Sequence, residues 1–142
     1  MGLTPIQVTI LASIVEVETG SKEERPRVAG VYINRLNKNM RLQADPTIVF
    51  AIGNFELKRV LAKHKKIDSP YNTYKYSGLP PGPIYIPSIT SIDAVLNYEK
   101  HDYFYFCAKE DFSGNHRFSI SFEEHLKNAQ RYQKALNQAH IN

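Results

Sequence analysis

The chain has 142 residues, 42% hydrophobic, 11% aromatic and 23% charged, with 18 basic against 14 acidic side chains and a net charge of +4. That balance leaves room for one domain and excludes a disordered tail, a collagen-like repeat and a coiled coil. The single cysteine, Cys107, cannot form an internal disulfide.

Positions 4–19 predict a helix, with Thr4 as N-cap, Pro5 at the first helical position and Gly20 as the stop. Ile6, Ile10, Ile14 and Val17 share a face that Val8, Leu11 and Val15 widen, so this helix is expected to be buried. Gly2 to Val15 is nonetheless too short and polar to span a bilayer, and it lacks the basic flank of a signal peptide. The abrupt start predicts a domain taken from a longer chain.

A second helix is expected over 24–37. Ser21 and Glu24 have capping-box spacing, but Pro26 favours a start near Arg25. Asp45-Pro46 opens a short helix through Phe50, and 57–63 predicts another. The densest basic run, Lys58, Arg59, Lys63, Lys65 and Lys66, reads as a solvated helix face. No nucleic-acid-binding pattern accompanies it.

From Ile67 to Pro87 the chain is rich in proline (Pro70, Pro80, Pro81, Pro83, Pro87) and tyrosine. It predicts an ordered loop lying on the domain, a place where function often resides. A helix over 88–98 follows, then a strand at 103–108, a turn at 111–115 and a return strand at 116–119. Ser121 and Glu124 cap a last helix whose Phe122, Leu126, Ala129, Tyr132 and Leu136 are expected to face inward. The predicted class is α+β: several helices around a small antiparallel hairpin or sheet.

The chemistry points first to Glu16 and Glu18, which end an otherwise apolar helix. At roughly 100° per residue Glu18 falls on the apolar arc beyond Ile14, whereas Glu16 falls over small residues. Apolar surroundings and the helix C-terminus both disfavour a charged carboxylate. A carboxyl kept protonated near neutrality can give and retake a proton. The alternative is an ion pair with Arg35 or Arg41.

Gln43, Asp45 and Thr47 flank a helix N-terminus that suits oxygen-rich ligands, although Asp45 also suits a plain N-cap. Tyr71-Asn72-Thr73-Tyr74 interleaves rings with amide and hydroxyl groups, a mixture suited to sugars or to a loop packed on its own domain. His116 reads as a half-exposed strand residue and Cys107 as a small buried hydrophobe. His64, His101, His116, His125 and His140 have no metal-ligand spacing, and no nucleophile elbow or Gly-rich phosphate loop occurs, so neither metal nor cofactor is expected. A carboxylate-driven reaction on a neutral polymer is the most economical enzyme reading.

Five motifs then occur in order: 12–19 (ASIVEVET), 31–36 (VYINRL), 40–47 (MRLQADPT), 71–74 (YNTY) and 78–84 (GLPPGPI), followed by the hairpin 103–118. Together, from Leu11 to His125, they resemble the catalytic domain of the endolytic murein transglycosylases, the YceG-like family. The resemblance implies a lytic transglycosylase that cleaves the β-1,4 bond between N-acetylmuramic acid and N-acetylglucosamine. The muramyl 6-hydroxyl attacks its own C1 and leaves a 1,6-anhydro end.

It implies Glu18 as the general acid/base, with Glu16 and Arg35 in support. Gln43, Asp45, Thr47, Asn72, Tyr74 and, more weakly, His116 would hold the sugars. It also implies an N-terminal membrane helix and a LysM-like domain upstream, and a site on the extracytoplasmic side of the cytoplasmic membrane. The partners expected are nascent glycan strands and penicillin-binding synthases, with no nucleic acid. Two alternatives stay open: a glycan-binding module without catalysis, or a hydrolase with Asp45 or Glu16 as second carboxylate.

Overall fold

The computed structural model describes residues 2–57 and 59–139; Lys58 and His140 lie outside the described residues. Helix α1, Pro5–Glu18, opens on a reciprocal capping box: Gln7 N donates to Thr4 Oγ1 at 3.2 Å and Thr4 N donates to Gln7 Oε1 at 2.9 Å. Leu11, Ala12, Ile14 and Val15 are fully buried and form the centre of the core. The burial is not all round, since Ile6 is 71% and Val17 48% exposed. Gly20 follows the C-cap at the expected position but is not in the left-handed region. Thr19 leaves the helix in an extended conformation, and its carbonyl accepts from Arg25 Nε at 3.2 Å, which ties the exit to the next helix.

Helix α2, Arg25–Asn37, starts with proline in its first turn, as expected. The Ser21–Glu24 capping box does not form, because the Glu24 carboxylate is turned away to His116. Gly30 marks a close approach: a Cβ there would lie 2.3 Å from the Glu99 carbonyl, so α2 packs against 99–101 only with glycine at this point. Helix α3, Asp45–Ile52, has Ala44, not Asp45, at its N-cap and ends on Gly53 in the left-handed region.

The helix expected over 57–63 is absent among the described residues; a 3-10 turn at His64–Lys66 takes its place. Leu61 N donates to His64 Nδ1 at 2.8 Å, and the Asn72 amide donates to the carbonyls of Lys65 and Ile67. The His64 side chain thus captures a backbone N–H that a helix over 57–63 would use, and Asn72 fixes the turn that follows. Among the described residues of the basic run, Arg59 and Lys63 therefore lie outside any helix and Lys65 and Lys66 lie in the 3-10 turn, so the run is not an α-helix face.

The Pro/Tyr-rich segment is an ordered loop. Ile84 N donates to Ser13 Oγ at 3.0 Å and the Phe50 and Tyr71 rings meet at 4.8 Å, pinning the loop to α1 and α3. Helix α4, Ile89–Leu96, packs across α1 and α2. Strands β1, Tyr105–Ala108, and β2, His116–Ser119, pair antiparallel with Phe106 opposite Phe118. Helix α5, Phe122–Gln138, covers the hairpin. Leu136 is buried and Ala129 and Tyr132 are half-buried, but Phe122 and Leu126 stay exposed, contrary to expectation. Two strands are too narrow to cover the helix's whole apolar face. The architecture is α+β, as expected.

Candidate active site

A cavity of about 600 Å³ opens where the end of α1 meets α2, the start of α3, the hairpin and α5. That size suits a small ligand or a few sugar units. Glu18, at the last turn of α1, reaches into it. Its carboxyl accepts a hydrogen bond from Tyr32 Oη at 2.8 Å. Burial, and then the nearby charge of Asp45, push its pKa up to about 8; the Tyr32 hydrogen bond pulls the other way without winning. Glu18 is therefore a carboxylic acid at neutral pH.

Asp45 faces the same cavity from the first residue of α3. It is exposed to the cavity, yet the walls enclose its carboxyl enough for burial to raise its pKa. The Tyr74 hydroxyl donates a short hydrogen bond to it, and Lys65 favours its charged form. Lys65 Nζ lies 4.7 Å from the Tyr74 ring centre, so Lys65, Tyr74 and Asp45 form one cluster.

Arg35, 7% exposed, is held by donation from Nε to the Phe104 carbonyl at 2.7 Å and from Nη1 to the Arg41 carbonyl at 2.8 Å. Its guanidinium stacks over Tyr105, and burial lowers its pKa. Gln43 lines the cavity with a left-handed backbone at φ 49°, an unusual conformation for a side chain of its kind. His116 reaches the wall with its Nδ1 paired to Glu24 at 2.9 Å. Cys107 is half-buried there too, not a core residue, and burial raises its thiol pKa.

Three of the residues singled out from sequence lie elsewhere. Glu16 turns away from the cavity, and its partner is neither Arg35 nor Arg41. Its Oε1 accepts from Ser88 N at 2.7 Å and Ser91 Oγ at 2.9 Å, and its Oε2 from Arg25 Nη2 at 3.2 Å. Those donors, led by the Ser88 backbone, lower its pKa.

Thr47 and Asn72 are fully buried and line no part of the cavity. Thr47 Oγ1 donates to the Ala44 carbonyl at 2.7 Å. The Asn72 amide joins 65–67 to Tyr74 N and so shapes the loop that carries Tyr74. Both side chains hold the site's frame; of the residues predicted to hold sugars, Gln43, Asp45, Tyr74 and His116 line the cavity.

Tyr32, Arg59, Lys65 and His125 line the cavity and were not singled out as site residues. One signal was available for Tyr32: a phenol on the core face of a helix needs a hydrogen-bond partner, and a carboxyl on the neighbouring helix is a natural one.

The chain matches the family model described as the YceG-like family over residues 1–131. A Bacillus subtilis protein named endolytic murein transglycosylase is 44% identical over 128 residues, covering 90% of this chain and 35% of that protein. A Streptococcus pneumoniae protein of the same name is 39% identical over 130 residues, covering 89% of this chain and 23% of its own length. This chain thus spans about a third or less of those relatives. A crystal structure of a yceG-like protein from Listeria monocytogenes superposes with a TM-score of 0.77 at 45% identity, covering 82% of this chain and 38% of that one.

Proposed function

Given that the chain belongs to the YceG-like family, we propose that it is a lytic transglycosylase domain acting on peptidoglycan, with Glu18 as its one general acid/base. The observation that carries this reading is a carboxyl with a pKa of about 8 facing a 600 Å³ cavity. Glu18 starts protonated and gives its proton to the glycosidic oxygen between N-acetylmuramic acid and N-acetylglucosamine. It then accepts the proton of the muramyl 6-hydroxyl as that oxygen closes on C1. The nucleophile belongs to the substrate, so proximity does the work of a second carboxylate. The Asp45 carboxylate faces the positive charge that develops at C1, and Tyr74 and Lys65 orient it and favour its charged form. Tyr32 keeps the Glu18 carboxyl in place as its charge changes.

A hydrolase reading has one observation in its favour: Asp45 shares the cavity with Glu18. Against it, the Asp45 carboxyl already accepts from Tyr74. Glu16 offers no second carboxylate, since its oxygens serve Ser88, Ser91 and Arg25. The same proposal places the domain outside the cytoplasmic membrane, tethered from its N-terminal side, beside penicillin-binding synthases. That placement rests on the family likeness; no helix among the described residues is long and apolar enough to cross a membrane.

The test is to incubate the wild type and Glu18→Gln with uncrosslinked glycan strands and weigh the products. The expected result is 1,6-anhydro ends from the wild type alone. Reducing ends would make it a hydrolase with Asp45 as the second carboxylate. Equal cleavage by both proteins sinks the Glu18 assignment, and binding without cleavage leaves a glycan-binding module.

A further inference from the structure

The cavity carries more positive charge than the proposed chemistry uses. Arg35, Arg59 and Lys65 line it, against the carboxyls of Asp45 and Glu18. Glu18 is protonated up to about pH 8. Near neutrality, then, three cations face one carboxylate. Arg35 is committed to two backbone carbonyls. Arg59 is not committed in this way, and Lys65, which stands beside Tyr74 and favours the charged form of Asp45, makes no ion pair among the described residues; nor does Arg59.

Arg59 is the more telling of the two. Its Nη2 donates to Asn137 Oδ1 at 3.0 Å, which fixes the guanidinium against α5. Its Nε is enclosed by protein and has no hydrogen-bond partner among the described residues. A buried guanidinium donor left without an acceptor is costly. The planar fork of arginine matches a carboxylate, and hydroxyl groups of a neutral sugar give no reason to collect such charge.

We propose that Arg59 and Lys65 form a subsite for a carboxylate borne by the substrate, which on a peptidoglycan strand is a carboxylate of the stem peptide. This deepens the proposed function and rests on it for the identity of the polymer. The cleft then binds strands that carry peptides in preference to strands stripped of them. The frame is built for it: Asn137 holds Arg59 from α5, while Asn72 holds the Lys65 backbone from the loop below.

The test measures binding of peptide-bearing and amidase-stripped glycan fragments to Glu18→Gln, so that turnover plays no part. The expected result is roughly tenfold tighter binding of the peptide-bearing fragment, the scale of one charge-assisted contact. Added salt should shrink that ratio. Arg59→Gln in the same background should bring it close to one, and Arg59→Lys should restore part of it. If Arg59→Gln melts early, Lys65→Gln carries the same test.

Equal binding of the two fragments overturns the subsite, and so does a preference that survives both substitutions. Binding of neither fragment overturns the subsite and the proposed substrate together. A peptide preference in a wild type that cleaves nothing keeps the subsite and removes the proposed reaction.

Discussion

Glu16 and Glu18 stand two residues apart at the end of one helix, and the structure gives them opposite lives. Glu16 points toward α4, where a backbone N–H, a hydroxyl and a guanidinium surround it, and its pKa is lowered. Glu18 points into the cavity, where one phenol is its only side-chain hydrogen-bond partner among the described residues and a like charge stands near, and its pKa rises to about 8. Part of the difference is the N-terminus of α4: Ser88 is its N-cap, so Glu16 sits where a helix favours negative charge. At Glu18 burial and the nearby Asp45 charge outweigh a single donor, whereas at Glu16 the donors outweigh the cost of burial. One helix end thus supplies a structural anion and a neutral acid on opposite sides.

The sharpest way to break this comparison is to remove each carboxyl and ask which property falls. Glu18→Gln should lower the cleavage rate by roughly 10²- to 10⁴-fold, the usual worth of a general acid/base, while the protein melts no earlier than wild type. Glu16→Ala should do the reverse. It leaves Arg25, whose side chain is only 7% exposed, without its carboxylate and strips the α4 N-terminus of its acceptor. A loss of about 3 kcal/mol in a denaturant titration is expected, with activity per folded molecule largely kept. Equal loss of activity from both substitutions would dissolve the distinction.

A smaller effect appears in the pH dependence of stability. Glu18 has a folded pKa above its ordinary value of 4.5, so between about 4.5 and 8 the folded protein binds more protons than the unfolded chain. Wild type therefore loses stability as pH rises through that window, by an amount on the order of a few kcal/mol at most. Glu18→Gln cannot titrate and should not show that decline. Glu16 has a lowered folded pKa, so its contribution is present above its ordinary value and lost as pH falls. Denaturation midpoints of the two variants against wild type, taken from acid to pH 9, should diverge in opposite directions.

Much of this arrangement was legible in the sequence. Thr4-Pro5, Arg25-Pro26 and Ser121 mark helix starts by local chemistry, and the structure keeps all of them. The helical wheel separates Glu18 from Glu16 because angular position along a helix survives folding. What pairs with Glu16 was not legible, since Arg25 and Ser88 come from other elements and Arg35 looked equally near.

The 57–63 segment read as a helix because periodicity cannot show that the His64 side chain takes the Leu61 N–H. Thr47 and Asn72 looked like sugar contacts by residue type, yet their hydrogen bonds close inside the frame. Residue type tells what a side chain can bind. Only packing tells whether that capacity is already taken.

The finest test concerns Tyr32, the one group that works against the Glu18 shift. Its hydroxyl donates to the carboxylate at 2.8 Å and so favours the charged form. Tyr32→Phe keeps the ring edge-on to Phe106, 5.6 Å away, and removes only that donor. With burial and Asp45 left in place, the Glu18 pKa should climb further above about 8. For a reaction that needs the protonated acid, cleavage falls on the alkaline side as pH passes the Glu18 pKa. Tyr32→Phe should therefore move that fall to higher pH while lowering the rate at pH 7 by less than about tenfold, the scale of one hydrogen bond. An alkaline fall that moves to lower pH instead would mean that Tyr32 stabilises the neutral acid and adds to the effect of burial and Asp45 at Glu18 in place of opposing it.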